Sequence, residues 1–157
     1  MDVEIKTIAP MRLAAVRHRG RYHQIGEAFG RLGALFGGAP PSGTLMVAVY
    51  HDDPEAVAPE ALRSDAALTL APDAPLPSGT SELHLPGGKY ACHRHVGPYS
   101  ELPDVWPRLL GQWLPASGLR LVADGVSFEI YRNTPMDTAP AALITDLYVP
   151  VEDGQSA

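Results

Sequence analysis

The feature that most constrains this chain is that it is written twice. The segment "AAVRHRGRYHQIGEAFGRL" (14–32) aligns with "ACHRHVGPYSELPDVWPRL" (91–109) at a constant offset of 77. Ala14, Arg17, His18, Gly20, Tyr22, Arg31 and Leu32 fall on Ala91, Arg94, His95, Gly97, Tyr99, Arg108 and Leu109. Further on the offset becomes 81, and Tyr50, Pro54, Pro59, Leu62 and Asp65 fall on Tyr131, Pro135, Pro140, Leu143 and Asp146. A four-residue insertion between helix and strand of the second copy accounts for the change. Two copies of one supersecondary design, neither able to bury its apolar face alone, predict one α+β domain built about a pseudo-twofold axis.

Each copy reads strand, turn, helix, strand, loop, strand. Extended segments are expected near 11–18, 44–50, 65–71, 88–95, 125–132 and 143–151, with Gly20 and Gly97 at turns. The first helix is expected over 22–36, with Tyr22, Ile25, Phe29, Leu32 and Phe36 on its inner stripe. The second is expected over 99–114, with Tyr99, Leu102, Trp106, Leu109 and Trp113. Pro103 fits a first turn, whereas Pro107 should bend the helix. The Pro/Ala-rich stretches 52–61 and 72–80 read as loops, the second joining the copies. The repeats thus run about 3–71 and 80–151 within a domain over 1–151, and the small polar residues 152–157 read as a flexible tail.

A length of 157 residues suits one core. The formal net charge of −6 argues against a phosphate-backbone partner and tolerates cations. The single Cys92 precludes an intrachain disulfide or a cysteine-rich zinc site. The opening "MDVEIK" lacks an apolar signal core, and no apolar run is long enough to span a bilayer. A cytoplasmic protein with no membrane or nucleic-acid partner is expected.

A scaffold made twice is most informative where its copies differ. Along "VSFEIYRN" (126–133), Ser127, Glu129 and Tyr131 share one strand face and Val126, Phe128 and Ile130 the other. Glu129 falls on Ala48 of the first copy, Ser127 on Met46, and Tyr131 on Tyr50. One sheet face is therefore expected to carry Met46, Ala48, Tyr50, Ser127 and Tyr131 around one acid. The apolar faces, Leu45, Val47 and Val49 with Val126, Phe128 and Ile130, are expected to pack on the helices. A carboxylate beside aromatic rings suits a cation, through Coulomb and cation–π attraction. The plainer alternative is a solvated strand face with Glu129 near Arg132 or Arg120.

Phe29 and Phe36 correspond to Trp106 and Trp113, which could wall a flat apolar ligand or be plain core. Tyr90, in the place of Leu13, is an added strand aromatic that could share the pocket. His93 and His95 lie on one face but lack a third ligand at a metal-binding spacing. Cys92 reads as a buried thiol. No catalytic spacing appears, and "GGK" (87–89) reads as a strand-entry turn. No metal or cofactor is expected.

Together "RLAAVRHRGRYHQIGEAF", "KYACHRHVGPYSELPDVW" and "FEIYRNTPMDTAPAALITDLYVPV" resemble the GyrI-like family, also found as effector-binding domains of AraC- and MerR-type regulators. The resemblance covers about 3–151, and its most specific part is the closing "FEIY…TDLYVPV" pattern. It implies tandem βαββ (SHS2-type) repeats with an antiparallel sheet, two main helices and a ligand cleft between the halves. It also implies that Glu129 meets lipophilic, often cationic ligands. The ligand-binding residues expected on these grounds are Glu129, Tyr131, Trp106, Trp113, Tyr90, Tyr148, Tyr50, Met46 and Phe36.

The resemblance implies three functions. A standalone binding protein would take lipophilic, drug-like cations. A hydrolase of cyclopropane-bearing genotoxic natural products would use Glu129 as acid or base, with Tyr131 steadying an oxyanion. A gyrase-inhibitor-like protein would have a protein partner such as gyrase.

Overall fold

The computed structural model describes residues 1–37 and 41–154. In chain order the main elements are β1 (Glu4–Ile8), β2 (Met11–Arg19), α1 (Gly26–Ala34), β3 (Met46–Tyr50), β4 (Arg63–Leu70), β5 (Ser81–Leu85) and β6 (Gly88–Val96). There follow α2 (Leu102–Arg108), α3 (Leu114–Ser117), β7 (Leu119–Leu121), β8 (Ser127–Tyr131) and β9 (Ile144–Asp153). The fold is α+β, as the repeat predicts, and its strand pairs are antiparallel. The chain forms two compact units, residues 9–87 and residues 1–8 with the chain from 88 onward.

In the first unit the strands follow the order β3-β4-β2-β5. The long β2 is central and carries the buried run Leu13–Val16. Tyr22–Gln24 form a single tight turn before α1, which buries Ala28 and Leu32. Helix α1 ends at Ala34, so Phe36 lies beyond it and not within a helix reaching 36.

In the second unit the order is β1-β6-β9-β8, with β7 also on β9. Strand β1 thus pairs with the second copy of the repeat, although it opens the chain. The helical segment runs from Leu102 to Ser117 through a widened turn over Leu109–Trp113. Pro103 sits in the first turn, and Pro107 and Pro115 bracket the wide turn. Each proline removes one backbone donor from the helical ladder, which favours such a local widening. Gly118, at φ +80°, ends the segment as a left-handed cap. Strand β9 runs through Glu152 to Asp153, and residues 155–157 of the expected tail lie outside the described residues.

The repeat is visible atom by atom within each unit. Gly20 N donates to Leu62 O at 2.9 Å, and Gly97 N donates to Leu143 O at 2.9 Å. Their φ angles of +119° and +147° explain why both copies keep glycine there. Arg17 Nε donates to buried Asp65 at 3.0 Å, as Arg94 Nε does to buried Asp146 at 2.8 Å. The Tyr22–Tyr50 ring pair at 4.7 Å has its counterpart in Tyr99–Tyr131 at 5.2 Å.

One expectation about sidedness is reversed. The core beneath the second helical segment comprises Ala91, Leu147, Val149 and Val151 from the sheet and Leu102, Val105, Leu109 and Leu114 from the helices. Leu147 is the direct partner of Glu129, whereas Phe128 stands opposite Tyr148. Directly paired residues share a sheet face. The Glu129 face, not the Phe128–Ile130 face, therefore packs against the helices. Phe128 and Ile130 are buried on the far side, where Tyr90 and Tyr148 surround Phe128. Both faces of β8 are covered, so apolar content alone does not reveal which of them meets the helix.

Candidate functional site

Glu129 sits at the centre of β8, flanked by buried Phe128 and Ile130, with only 1% of its surface exposed. The solvated alternative is thus excluded. Burying a carboxylate is costly unless donors replace water. Donors reach each of its oxygens. Trp106 Nε1 donates to Oε1 at 2.5 Å, and the Tyr131 hydroxyl donates to Oε2 at 2.7 Å.

Each donor is placed by its element. Tyr131 is two residues along the same strand, so its ring rises on the same face and leans back over Glu129. Trp106 lies on α2, packed against the helical core, and its indole N–H reaches the sheet at Glu129. Tyr99, at the head of this helical segment, packs its ring 5.2 Å from that of Tyr131. Burial raises the Tyr99 hydroxyl above its ordinary pKa, and the negative charge of Glu129 adds to the effect. Tyr99 belongs to this cluster but is absent from the expected ligand set. Its place on the Trp106 stripe and its correspondence to Tyr22 were the available signals.

The first copy shows what the acid changes. Ala48 stands where Glu129 does, and Phe29, which has no N–H, stands where Trp106 does. Tyr22 directs its hydroxyl away, donating to Asp52 O at 2.7 Å and accepting from Asp52 N at 2.9 Å. Acid and indole donor therefore arrive together in one copy and are both missing from the other.

The structure divides the remaining expected residues. Trp113 packs on the helical core against Ala91, Leu109, Leu110, Leu114 and Val149, with no room between them for even a water molecule. Tyr90 and Tyr148 occupy the opposite sheet face from Glu129, with ring centroids 5.4 and 4.8 Å from that of Phe128. The Tyr148 hydroxyl accepts from Arg132 at 2.8 Å, which in turn donates to Asp146 at 2.7 Å. Met46, Tyr50 and Phe36 are half-buried in the other unit. A groove of about 410 Å³ in that unit is lined by Arg12, Thr69, Leu70 and His84 among others, and by none of the expected residues. Among the described residues no group of three His, Cys, Asp or Glu is placed to hold a metal, and no helix is long and apolar enough to cross a membrane.

The Glu129 cluster is therefore a closed anionic centre roofed by an indole. It can exchange its neutral donors for a cation, or hold a proton.

Residues 1–152 match the model of a family described as a GyrI-like small-molecule-binding domain. A DNA gyrase inhibitor of Edwardsiella piscicida is 38% identical over 157 residues, covering 96% of this chain and 98% of that protein. Among solved structures, the C-terminal domain of EcmrR superposes with a TM-score of 0.78 at 17% identity, covering 97% of this chain and 98% of that one. The protein SAV2435, solved bound to tetraphenylphosphonium, superposes with a TM-score of 0.70 at 14% identity, covering 97% and 94%.

Proposed function

Because the chain belongs to the GyrI-like small-molecule-binding domain family, we propose that it binds lipophilic cations and that Glu129 is the anionic anchor for their charge. The observation that carries this reading is the buried, indole-capped carboxylate, present in one copy of the repeat and replaced by Ala48 in the other. A structural core position gains nothing from a charge that its twin does without, since the desolvation cost is not recovered by packing. A cation would recover it through Coulomb attraction in a water-poor site and through the faces of Trp106, Tyr99 and Tyr131. The binding of tetraphenylphosphonium by SAV2435 supports the choice of ligand class.

This reading carries a condition on entry. The indole N–H bonds Oε1 and helps to cover the buried carboxylate, so a cation that takes its place at that oxygen displaces Trp106. Binding is then an exchange in which the Trp106 hydrogen bond is given up for an ion pair. The indole becomes a built-in reporter, because its environment changes on every binding event.

The test is a fluorescence titration of a Trp113→Phe variant, whose remaining tryptophan is Trp106, with tetraphenylphosphonium. Saturable change in emission, abolished or strongly weakened by Glu129→Gln, is expected. Saturable binding with equal affinity in both variants would remove Glu129 from the site.

A further inference from the structure

We propose that the chain self-associates through β1, forming a twofold dimer in which two copies of "EIKTI" pair antiparallel about Ile5. Strand β1 is bonded to β6 on one side, and among the described residues no strand pairs with its other side. Its residues are mostly exposed, including Ile5 at 45%. An exposed strand edge presents unpaired N–H and C=O groups that invite another chain. Folded proteins often blunt such edges with charged side chains or proline. Strand β1 carries no proline, and its two charges, Glu4 and Lys6, are of opposite sign and so do not repel a second copy paired about Ile5.

The charges on β1 select a second copy as the occupant. Glu4 and Lys6 share one face, paired with Cys92 and Tyr90 of β6, and lie 3.7 Å apart as an ion pair. Antiparallel pairing about Ile5 sets Glu4 opposite the second copy's Lys6, Lys6 opposite its Glu4, and Ile5 opposite its Ile5. The four charges then form an alternating ring, in which every direct cross-strand neighbour is of opposite sign. On the other face the two Ile5 side chains meet, each beside Ala91 of its own β6. An identical patch that complements itself under a twofold rotation is the requirement for an isologous contact. A neighbouring register, shifted by two residues, would break the ring. The contact is small against the 1,200–2,000 Å² or so of a standard interface, so the dimer should form in a concentration-dependent way.

Sedimentation equilibrium on the 157-residue chain tests this. The wild type is expected to show reversible dimerisation. Lys6→Glu places like charges opposite one another twice per dimer and should weaken association roughly tenfold. The double reversal Glu4→Lys with Lys6→Glu restores opposite signs and should restore the dimer. A wild type that stays monomeric at millimolar concentration overturns the proposal, as does a double reversal no stronger than the single change. Register is read independently by oxidative cross-linking in a Cys92→Ser background. Ile5→Cys faces itself across the axis and should cross-link readily, while Thr7→Cys faces Val3 and should not. Equal cross-linking at both positions also overturns it.

Discussion

Trp106 Nε1 lies 2.5 Å from Glu129 Oε1, which ties the helical segment of the second unit to a charge in the middle of its sheet. The bond has two consequences of opposite sign, one for stability and one for affinity.

Trp106→Phe keeps most of the ring and removes the donor. Leaving a buried carboxylate short of one hydrogen bond should destabilise the fold by about 1.5–3 kcal/mol, measured by urea denaturation. The same variant no longer has an indole competing for Oε1. Its affinity for tetraphenylphosphonium should therefore rise, by up to about tenfold if half of that energy is recovered on binding. A loss of both stability and affinity would mean that the indole is a wall of the site and not its gate.

Ala48→Glu writes the acid into the copy that lacks its partners. Ala48 is fully buried, Phe29 offers no N–H, and the Tyr22 hydroxyl is already engaged with Asp52. An unpaired buried charge should cost about 3–5 kcal/mol. Adding Phe29→Trp should recover part of that loss. Thermal melts of the single and double variants read both effects. A neutral Ala48→Glu would show that the two copies tolerate an acid equally, and the argument from asymmetry would fail.

The two buried aspartates make the fold acid-sensitive in a defined window. Burial alone would raise the Asp146 carboxyl, but hydrogen bonds from Arg94 and Arg132 outweigh it and hold the group below its ordinary 3.8. Asp65 is likewise raised by burial and lowered further by His51 and Arg17, for a net depression below 3.8. The unfolded chain therefore binds protons at these sites more readily than the folded one. The stability they contribute is complete above pH 3.8 and is lost as pH falls through the depressed folded values. Melting temperature should fall more steeply below pH 3.8 for the wild type than for Asp146→Asn, which starts less stable but has one fewer carboxylate to protonate.

Much of this was legible in the residues, and the reasons differ by element. The repeat offsets located the Gly20 and Gly97 turns and marked the residues of the Arg–Asp and tyrosine pairs as equivalent, because sequence identity at equivalent positions reports a shared backbone. That Arg17 meets Asp65, or Tyr22 meets Tyr50, was not read from the sequence. The departure of Glu129 from Ala48 marked the acid, and the period-two face placed Tyr131 beside it. The direction of that face was misread, because Phe128 and Glu129 are both buried and a doubly covered strand has no polar side to identify. Tyr90 and Tyr148 were grouped with Glu129 although strand register puts them on the far face. Parity within one strand is visible in sequence, but parity between strands requires the pairing Phe128–Tyr148. The strands β1, β5 and β7 were not among those expected, and the partner of β1 is some eighty positions away, where local patterning carries no information.

Calorimetric titration of tetraphenylphosphonium into the wild type and Glu129→Gln, beside the isosteric anion tetraphenylborate, tests the role of Glu129 most directly. The account predicts that the wild type prefers the cation by a wide margin and that Glu129→Gln loses roughly tenfold or more in cation affinity while gaining for the anion. Equal affinities of the two proteins for the cation, with heat evolved in both, would contradict it.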